Sequence, residues 1–247
     1  MDNQKQTKKN DFIELKYTGY ANNEIFDSNI EEDLKKINPK AKVEKLIVAV
    51  GQEMVVKGFD KELENKEIDK DYEINIKSAD AFGPRNRDLI RTLPLKGFTQ
   101  QNMNPRPGMI LALDNNIVKI IAVSGARVIV DFNNPLAGKD LKYNFKIIRK
   151  IDDEKEKIKS MLKFYLGTIP EFEVKDKIIV KVQKEYEPII KLYNEKFKEL
   201  LGKELMFEEK KEEKAEKNKH EHIHEKGHEN NDHPGHNEHT HYSERPK

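Results

Sequence analysis

All eight histidines of this 247-residue chain lie in one short segment near its end. They are His220, His222, His224, His228, His233, His236, His239 and His241. Spacings of two and four residues let several imidazoles of a flexible chain converge on one cation. Imidazole suits nickel, copper, zinc and cobalt, and neighbouring acids such as Glu221 offer further ligands. The pattern predicts a site for a divalent metal such as nickel or zinc and does not specify the metal.

The histidine segment has two plainer interpretations, a solvated spacer and a purification tag. Its irregular spacing argues against a tag. Residues 208–247 open with a run of Glu and Lys and contain almost no apolar residues, so we expect a disordered tail in the absence of metal. The chain has no cysteine, which excludes disulfides, thiolate metal sites and a cysteine nucleophile.

The composition is polar for a single compact globule, with 37% charged and 36% hydrophobic residues, and it predicts more than one domain. A formal net charge of +1 supplies no general field for nucleic acid. No segment approaches the roughly 20 apolar residues of a membrane helix, and no secretory signal is recognised at the start. Together with the missing cysteines, this predicts a cytoplasmic protein that binds neither nucleic acid nor membrane.

Alternation of apolar and polar residues predicts the strands of a first domain. Residues 12–17 alternate as a half-buried strand, and Asn22-Asn23 favour a turn into a second strand at 25–27. The further predicted elements are a charged surface flap at 31–45, a strand at 46–50, a short helix at 54–63, and strands at 72–76 and 141–151. The late strand indicates that the first domain resumes after an insertion.

The insertion is predicted between Pro84 and Pro135, where the character of the chain changes. Its start is rich in proline and is predicted to be a loop. Three apolar strands follow at 109–113, 118–123 and 127–132, separated by tight turns. They predict a small independent β-meander.

A small α+β domain is predicted after the first one. Residues 152–166 carry acids in the first turn and one apolar face, which is formed by Ile158, Met161, Leu162 and Tyr165. A strand is predicted at 172–182 and a second helix at 187–201, which ends at Gly202. Because so short a segment has little core, we expect it to pair with another copy or to dock on the first domain.

Several motifs, in this order and spacing, resemble the FKBP family. They are Lys-Tyr-Thr-Gly at 16–19, Ile-Phe-Asp-Ser at 25–28, Val-Gly-Gln-Glu-Met-Val-Val-Lys-Gly-Phe at 50–59, Ala-Phe-Gly-Pro at 81–84 and Leu-Lys-Tyr-Asn-Phe at 141–145. The insert that ends at Asn-Asn-Pro-Leu-Ala-Gly-Lys, 133–139, is similar to the insert-in-flap domain of the SlyD-like subgroup and of long archaeal members. The resemblance covers about residues 10–151.

The resemblance implies an α+β fold in which an FKBP-like antiparallel sheet wraps on a short helix. A small all-β domain is inserted, and an α+β domain follows at the carboxyl end. The implied division is 1–84 with 136–151 for the FKBP domain, 85–135 for the insert, 152–207 for the C-terminal domain and 208–247 for the tail.

The implied activity is peptidyl-prolyl cis-trans isomerisation, which needs no cofactor. The family's catalytic positions correspond to Tyr17, Phe26, Asp27, Phe82 and Tyr143. Its substrate-binding positions correspond to Leu46, Val55, Val56 and Phe59. Eukaryotic relatives usually carry Trp at Phe59 and a hydrogen-bonding Tyr at Phe82. We therefore expect weaker macrolide binding and a rate reduced by the loss of a hydrogen bond worth about 1 kcal/mol.

The resemblance also implies unfolded or proline-containing polypeptides as partners, and it suggests a homodimer through the C-terminal domain. In the insert, the candidates for a chaperone surface are Leu93, Phe98, Met103, Ile110 and Leu111. The alternative is that these residues fill the core of a small domain. The histidine tail is similar to SlyD-like tails associated with nickel supply, although it lacks their cysteines.

Three hypotheses for the function stay open at this point. The first is an enzyme that accelerates proline-limited folding, with the insert delivering clients to the pocket. The second is a holdase with a catalytically weak FKBP domain. The third is a metal-handling protein.

Overall fold

The structure, a computed structural model, describes residues 6–113 and 116–210. In chain order the elements of these residues are β1 (Phe12–Ala21), β2 (Glu24–Ser28), α1 (Glu31–Ile37), β3 (Leu46–Ala49), α2 (Lys57–Glu62), β4 (Asp71–Ile76), β5 (Ile90–Pro94), α3 (Leu95–Thr99), β6 (Ile110–Leu113), β7 (Asn116–Ser124), β8 (Arg127–Asp131), β9 (Leu141–Lys150), α4 (Glu154–Leu166), β10 (Glu171–Val174), β11 (Ile178–Val182), α5 (Glu187–Leu201) and β12 (Leu205–Glu209). Within the described part of the chain, no helix is both long enough and apolar enough to span a bilayer. The mixed α+β class with antiparallel sheets is confirmed.

The first sheet is organised around β1. Its strand order is β2-β1-β9-β4, and β3 pairs with the same edge of β1 as β2 does. Phe12 to Leu15 pair with β3, and Thr18 to Ala21 pair with β2. The predicted hairpin is confirmed: Asn22 and Asn23 adopt φ values of 52° and 65°, which suit the tight turns that match the twist of two strands.

Helix α2 packs its apolar side against this sheet. Phe59 and Leu63 are 1% and 0% exposed, and a side chain at Gly58 would come within 2.4 Å of Ile76. The helix begins at residue 57, later than predicted, because the segment before it forms a turn held by Asp60. The Asp60 carboxylate accepts hydrogen bonds from the backbone N–H groups of Gly51 (3.0 Å) and Glu53 (2.8 Å). Burial raises its pKa, although these hydrogen bonds oppose the rise.

The segment predicted as a surface flap contains α1, so that prediction is wrong in part. Its first turn carries acids and its last turn carries lysines, which complements the helix dipole even without a strong apolar face. One of the acids, Asp33, also accepts a hydrogen bond of 2.8 Å from the Thr18 hydroxyl of β1. The helix is therefore tied to the first sheet by a polar contact that hydrophobic patterning does not reveal.

The insert has its own sheet, in the order β5-β8-β7-β6, and its own core. The buried side chains of this core are Phe98, Val118, Ile120, Val128 and Val130. The expectation of an all-β insert is wrong, because the insert contains α3, which contributes Phe98 to its core. The prediction of a loop at the start of the insert is also wrong, because β5 lies there. Pro94 explains the error, since it ends an edge strand, where a missing N–H is tolerated.

Backbone and side-chain hydrogen bonds join the two chain segments that enter and leave the insert. Gly138 N–H donates to the Gly83 carbonyl at 2.7 Å. The Asn133 side chain accepts from Asn86 N–H at 2.8 Å and donates to the Asn86 carbonyl at 2.9 Å. The Arg85 guanidinium also pairs with the buried Asp131 carboxylate. The insert is thus attached by one closely bonded neck.

The C-terminal segment is an α+β unit whose core is continuous with that of the first sheet. The buried face of α4 is the predicted one, with Ile158, Met161 and Leu162 all 0% exposed. The segment predicted as one strand at 172–182 is an antiparallel hairpin of β10 and β11, and β12, which the sequence did not predict, pairs parallel with β11.

The alternative in which this unit docks on the first domain is the one found within the chain. The Arg149 guanidinium joins the two parts by pairing with Glu14 of β1 at 2.8 Å and Glu156 of α4 at 2.7 Å. Pairing with a second copy stays a prediction.

Candidate functional site

A β-bulge directs two adjacent side chains of β2 into the same site. In the pairing with β1, Gly19 faces Asp27 and Tyr20 faces Ile25, so Phe26 is the extra, unpaired residue. Neighbouring residues of a regular strand point to opposite faces, whereas a bulge can turn both toward one face. Accordingly the Phe26 ring contacts Tyr143, and the Asp27 carboxylate contacts Tyr17.

Tyr17 and Asp27 form the polar part of the site. The Tyr17 hydroxyl donates a hydrogen bond of 2.6 Å to Asp27 Oδ2. Burial first, and then the hydrogen bond and the charge of Asp27, raise the pKa of Tyr17 well above its usual value. The pKa of Tyr143 is also raised, first by burial and then by the charge of Asp27. Both phenols are therefore neutral at physiological pH, beside an exposed carboxylate.

Four aromatic rings from three strands and one helix form an aromatic basin, defined here as Tyr17, Phe26, Phe59 and Tyr143. Phe59 lies stacked on Tyr143 with ring centroids 4.4 Å apart, and Tyr17 is tilted 6.1 Å from each of them. Phe59 and Tyr143 are 1% and 3% exposed, so they support the basin from beneath. Tyr17 and Phe26 are half-buried and form its accessible side.

The backbone at Tyr17 is held by a side chain instead of a strand. Tyr17 lies between the stretches of β1 that pair with β3 and β2, where its N–H would lack a partner. That N–H donates to Asn29 Oδ1 at 2.8 Å, and Asn29 Nδ2 donates to the Leu15 carbonyl at 2.7 Å. Asn29 thus bridges the gap in the sheet edge, and Ser28 adds a hydrogen bond from its hydroxyl to the Tyr17 carbonyl at 2.9 Å.

The remaining candidates from the sequence separate into two groups. Leu46, Val55 and Val56 are half-buried and pack against the same core as the aromatic basin. Phe82 is 37% exposed, and in the described residues it makes no ring contact with the basin. The structure therefore brings seven of the nine carried-over positions to one core, holds Asp27 beside them through its hydrogen bond with Tyr17, and leaves Phe82 exposed.

A cleft of about 880 Å³ opens beside the basin, with Tyr17, Asp27 and Leu46 on its wall. The opposite wall belongs to the C-terminal unit and includes Lys159 and Phe164 of α4. The volume lies within the range of sites that hold a ligand of several residues or of drug size.

The insert distributes its candidate residues over two faces of its sheet. Phe98 is 3% exposed, so its assignment to an exposed surface was wrong: this ring of α3 packs in the core of the insert. Leu93, Met103 and Leu111 are half-buried against that core. Ile110 is 63% exposed. A groove of about 690 Å³ is lined by residues that include Leu93, Phe98 and Met103.

The predicted metal ligands, His220 to His241, lie outside the described residues. Among residues 6–113 and 116–210, no group of three or more His, Cys, Asp or Glu side chains is arranged to hold a metal ion. The described site itself is composed of apolar, phenolic and carboxylate groups.

Gly19, Asn29 and Asp60 support the site but were not predicted from the sequence. A side chain at Gly19 would lie 2.7 Å from the Phe26 ring and 2.9 Å from Tyr143. The position of Gly19 within the first motif was a usable signal, because a glycine inside a strand often marks a close approach. Asn29 and Asp60 accept hydrogen bonds from backbone N–H groups that lie 7 to 12 residues away in the chain. The local sequence pattern gives no signal for such contacts.

Two family models match the chain. The first, FKBP-type peptidyl-prolyl cis-trans isomerase, matches residues 3–93, and the second, FKBP26, IF domain, matches residues 91–136. The two matches together run from the first strand through the insert. They include the basin residues of β1, β2 and α2, whereas Tyr143 lies beyond them.

Curated relatives carry names of the same kind. A short-type peptidyl-prolyl cis-trans isomerase of Methanocaldococcus jannaschii is 29% identical over 143 residues, which are 57% of this chain and 91% of that protein. The isomerase SlyD of Vibrio cholerae is 30% identical over 102 residues, 40% of this chain and 50% of that protein. SlyD of Helicobacter pylori is 26% identical over 149 residues, which are 58% of this chain and 74% of that protein.

Replacement of Gly19 by alanine tests the packing of the basin. The new methyl group would overlap Phe26 and Tyr143, so we expect the free energy of unfolding to fall by about 1–3 kcal/mol. We also expect the ring signals of both residues to shift in NMR spectra. Gly97→Ala is the matched control, because a methyl group there meets nothing within 4 Å. Equal stability of Gly19→Ala and the parent in urea unfolding would contradict this description of the basin.

Proposed function

Because this chain belongs to the FKBP-type peptidyl-prolyl cis-trans isomerases, we propose that the aromatic basin is where it rotates Xaa-Pro bonds of unfolded polypeptides. The observation that carries this assignment is the combination of an apolar, ring-lined basin with one carboxylate at its rim, Asp27, fixed by Tyr17 at 2.6 Å. The proline ring rests on the accessible side of the basin, between Tyr17 and the half-buried Leu46, Val55 and Val56.

The reaction breaks no σ bond, and an apolar site suffices for it. The barrier of about 18–20 kcal/mol arises because rotation removes the resonance of the amide. The twisted amide has less charge separation than the planar one, so an apolar surface tolerates it better than it tolerates the planar dipole. Binding the twisted form more tightly than the planar forms lowers the barrier. No metal or cofactor enters this scheme.

Asp27 supplies the one fixed charge of the basin. The Tyr17 hydroxyl donates a hydrogen bond to one carboxylate oxygen, and this contact holds the carboxylate in place before substrate binds. A fixed carboxylate favours a carbonyl whose carbon, the positive end of the dipole, faces it. The charge thus selects one orientation of the rotating carbonyl and acts on the rate more than on affinity.

Replacement of Asp27 tests this role. We expect Asp27→Ala to lower kcat at least about tenfold for a short Xaa-Pro peptide, because the fixed charge that favours one orientation of the rotating carbonyl is lost. The measurement is exchange NMR without a coupled protease. Glu24→Ala, an exposed carboxylate on the same strand, is the control and should leave kcat unchanged. A rate unaffected by Asp27→Ala would move the chemistry away from the basin.

The insert is proposed to hold unfolded client chains in its groove. The support is the groove of about 690 Å³, whose lining includes Leu93, Phe98 and Met103 together with Phe132 and Arg91. Methionine and aromatic side chains adapt to many apolar partners. Holding a client here raises its local concentration at the basin. A holdase with weak catalysis would use the same groove.

Two substitutions on opposite faces of the insert test the groove. Met103→Asp places a charge in the groove and should lower the ability of the protein to suppress aggregation of heat-unfolded citrate synthase severalfold. Ile110→Asp changes an exposed residue on the other face and should have little effect. Circular dichroism of both variants checks that the insert is folded. Loss of suppression in Ile110→Asp alone would assign client binding to the other face of the sheet.

The histidine tail is proposed to bind a divalent metal, nickel or zinc. The support comes from sequence, in the eight histidines between His220 and His241. Imidazoles bind such ions as neutral ligands, so affinity should fall as the pH drops below about 6.5.

Removal of residues 218–247 tests the tail. We expect isothermal titration with NiCl₂ and ZnCl₂ to show at least one tight site in the full chain and none in the shortened one. Isomerase rates should be the same in both, because the deletion removes no residue of the basin. Equal metal binding by the two chains would refute the tail site, and a lower isomerase rate in the shortened chain would show that the tail serves the enzyme.

A further inference from the structure

The cleft beside the basin has two walls, and the second is formed by residues outside the proposed isomerase site. One wall carries Tyr17, Asp27 and Leu46, which also belong to the candidate site. The other comes from α4 and the loop after it, in the C-terminal unit. An ion pair between Lys163 of α4 and Glu44, in the segment before β3, joins the two walls.

Only some of the charged side chains that line this cleft are in ion pairs. Two of its acids are in ion pairs, Glu44 with Lys163 and Glu156 with Arg149, and the third, Asp27, keeps its charge and accepts a hydrogen bond from Tyr17. By contrast, no ion pair within residues 6–113 and 116–210 involves the lining residues Lys42, Lys45 or Lys159. All three are exposed, so the cleft presents an excess of positive charge that a ligand can neutralise.

Apolar side chains lie beside these lysines. Phe164 and Ile169 line the C-terminal wall and are 45% and 47% exposed, and Leu46 and Ile47 lie half-buried on the other wall. A surface that combines exposed apolar side chains with unpaired lysines is complementary to a chain that carries apolar and acidic residues together. Because Tyr17 of the basin and Asp27 at its rim also line the cleft, one extended ligand can reach from the cleft into the basin.

We propose that the C-terminal unit forms an outer subsite for the substrate and selects polypeptides with acidic and apolar residues next to the isomerised proline. This inference rests on the proposed function and extends it to specificity. The occupant is the stretch of the same unfolded chain that flanks the proline. Lys45 and Lys159 contact its acidic side chains from opposite walls, and Phe164 contacts its apolar ones.

Three peptides that differ only in their flanks test the outer subsite. Each contains the same Xaa-Pro bond, extended on both sides by glutamates, glutamines or lysines, and kcat/KM is measured by exchange NMR on the full chain. We expect the glutamate peptide to exceed the lysine peptide by roughly threefold or more, mainly through KM, because the contact is made before and during rotation alike. The preference should disappear in 1 M NaCl, where the screening length is about 3 Å.

Two charge-matched double variants separate the subsite from the general field of the protein. Lys45→Glu with Lys159→Glu should reverse the order of the three peptides. Lys40→Glu with Lys155→Glu changes the net charge equally at exposed positions that do not line the cleft, and it should keep the original order. For the apolar part, Phe164→Ala should raise KM for a peptide with a phenylalanine flank, whereas Leu192→Ala, exposed on α5, should not.

The outcomes distinguish this inference from the proposed function. If the glutamine peptide is exchanged normally while the glutamate and lysine peptides show equal kcat/KM, the outer subsite is refuted and the isomerase assignment stands. An equal shift in both double variants likewise refutes the subsite. If the intact chain exchanges none of the peptides, the proposed function fails and this inference fails with it.

Discussion

The geometry of the site depends on strand β1, because two different strands pair with the same edge of it. β1 pairs with β3 at one end and with β2 at the other, and Tyr17 lies at the gap between them. A buried backbone N–H without a partner would cost about 1–3 kcal/mol, and the Asn29 amide supplies that partner. The gap lets β2 approach at its own angle, with the bulge at Phe26. Both the fixed Tyr17 and the position of the exposed Asp27 carboxylate beside it follow from this one arrangement.

The polar contacts around the basin join residues that are near each other in the sequence, whereas the apolar contacts join residues that are far apart in it. The two sets have different roles. Hydrogen bonds between β1 and the segment 27–33 fix the direction of the phenol and the carboxylate. The apolar floor instead comes from α2 and β9, which are far apart in the chain. Rings stacked at 4.4 Å and buried to within a few per cent leave this floor little freedom to move. Rigidity of this kind favours one shape of a bound ligand over others.

Much of the fold could be predicted from the sequence, because the periodic recurrence of apolar residues shows which side chains are buried. The hairpin, the late strand β9 and the buried face of α4 all follow from periodic apolar residues. The errors have physical causes. β5 contains few apolar residues and ends in proline, β12 merges with a charged run, and α1 is stabilised by charge and a contact of Asp33. The bulge at Phe26 was beyond prediction, since it depends on the register between two strands and on the space above Gly19.

The position of the insert in the chain sets the order in which the parts of the protein can form during synthesis. β9 is a central strand of the first sheet, between β1 and β4, yet it follows the whole insert. Ribosomes add about 5–20 residues each second, and hairpins form in microseconds, so the insert can fold before β9 has emerged. A nascent chain can therefore pass through a stage in which the insert is folded while the first sheet still lacks its central strand β9.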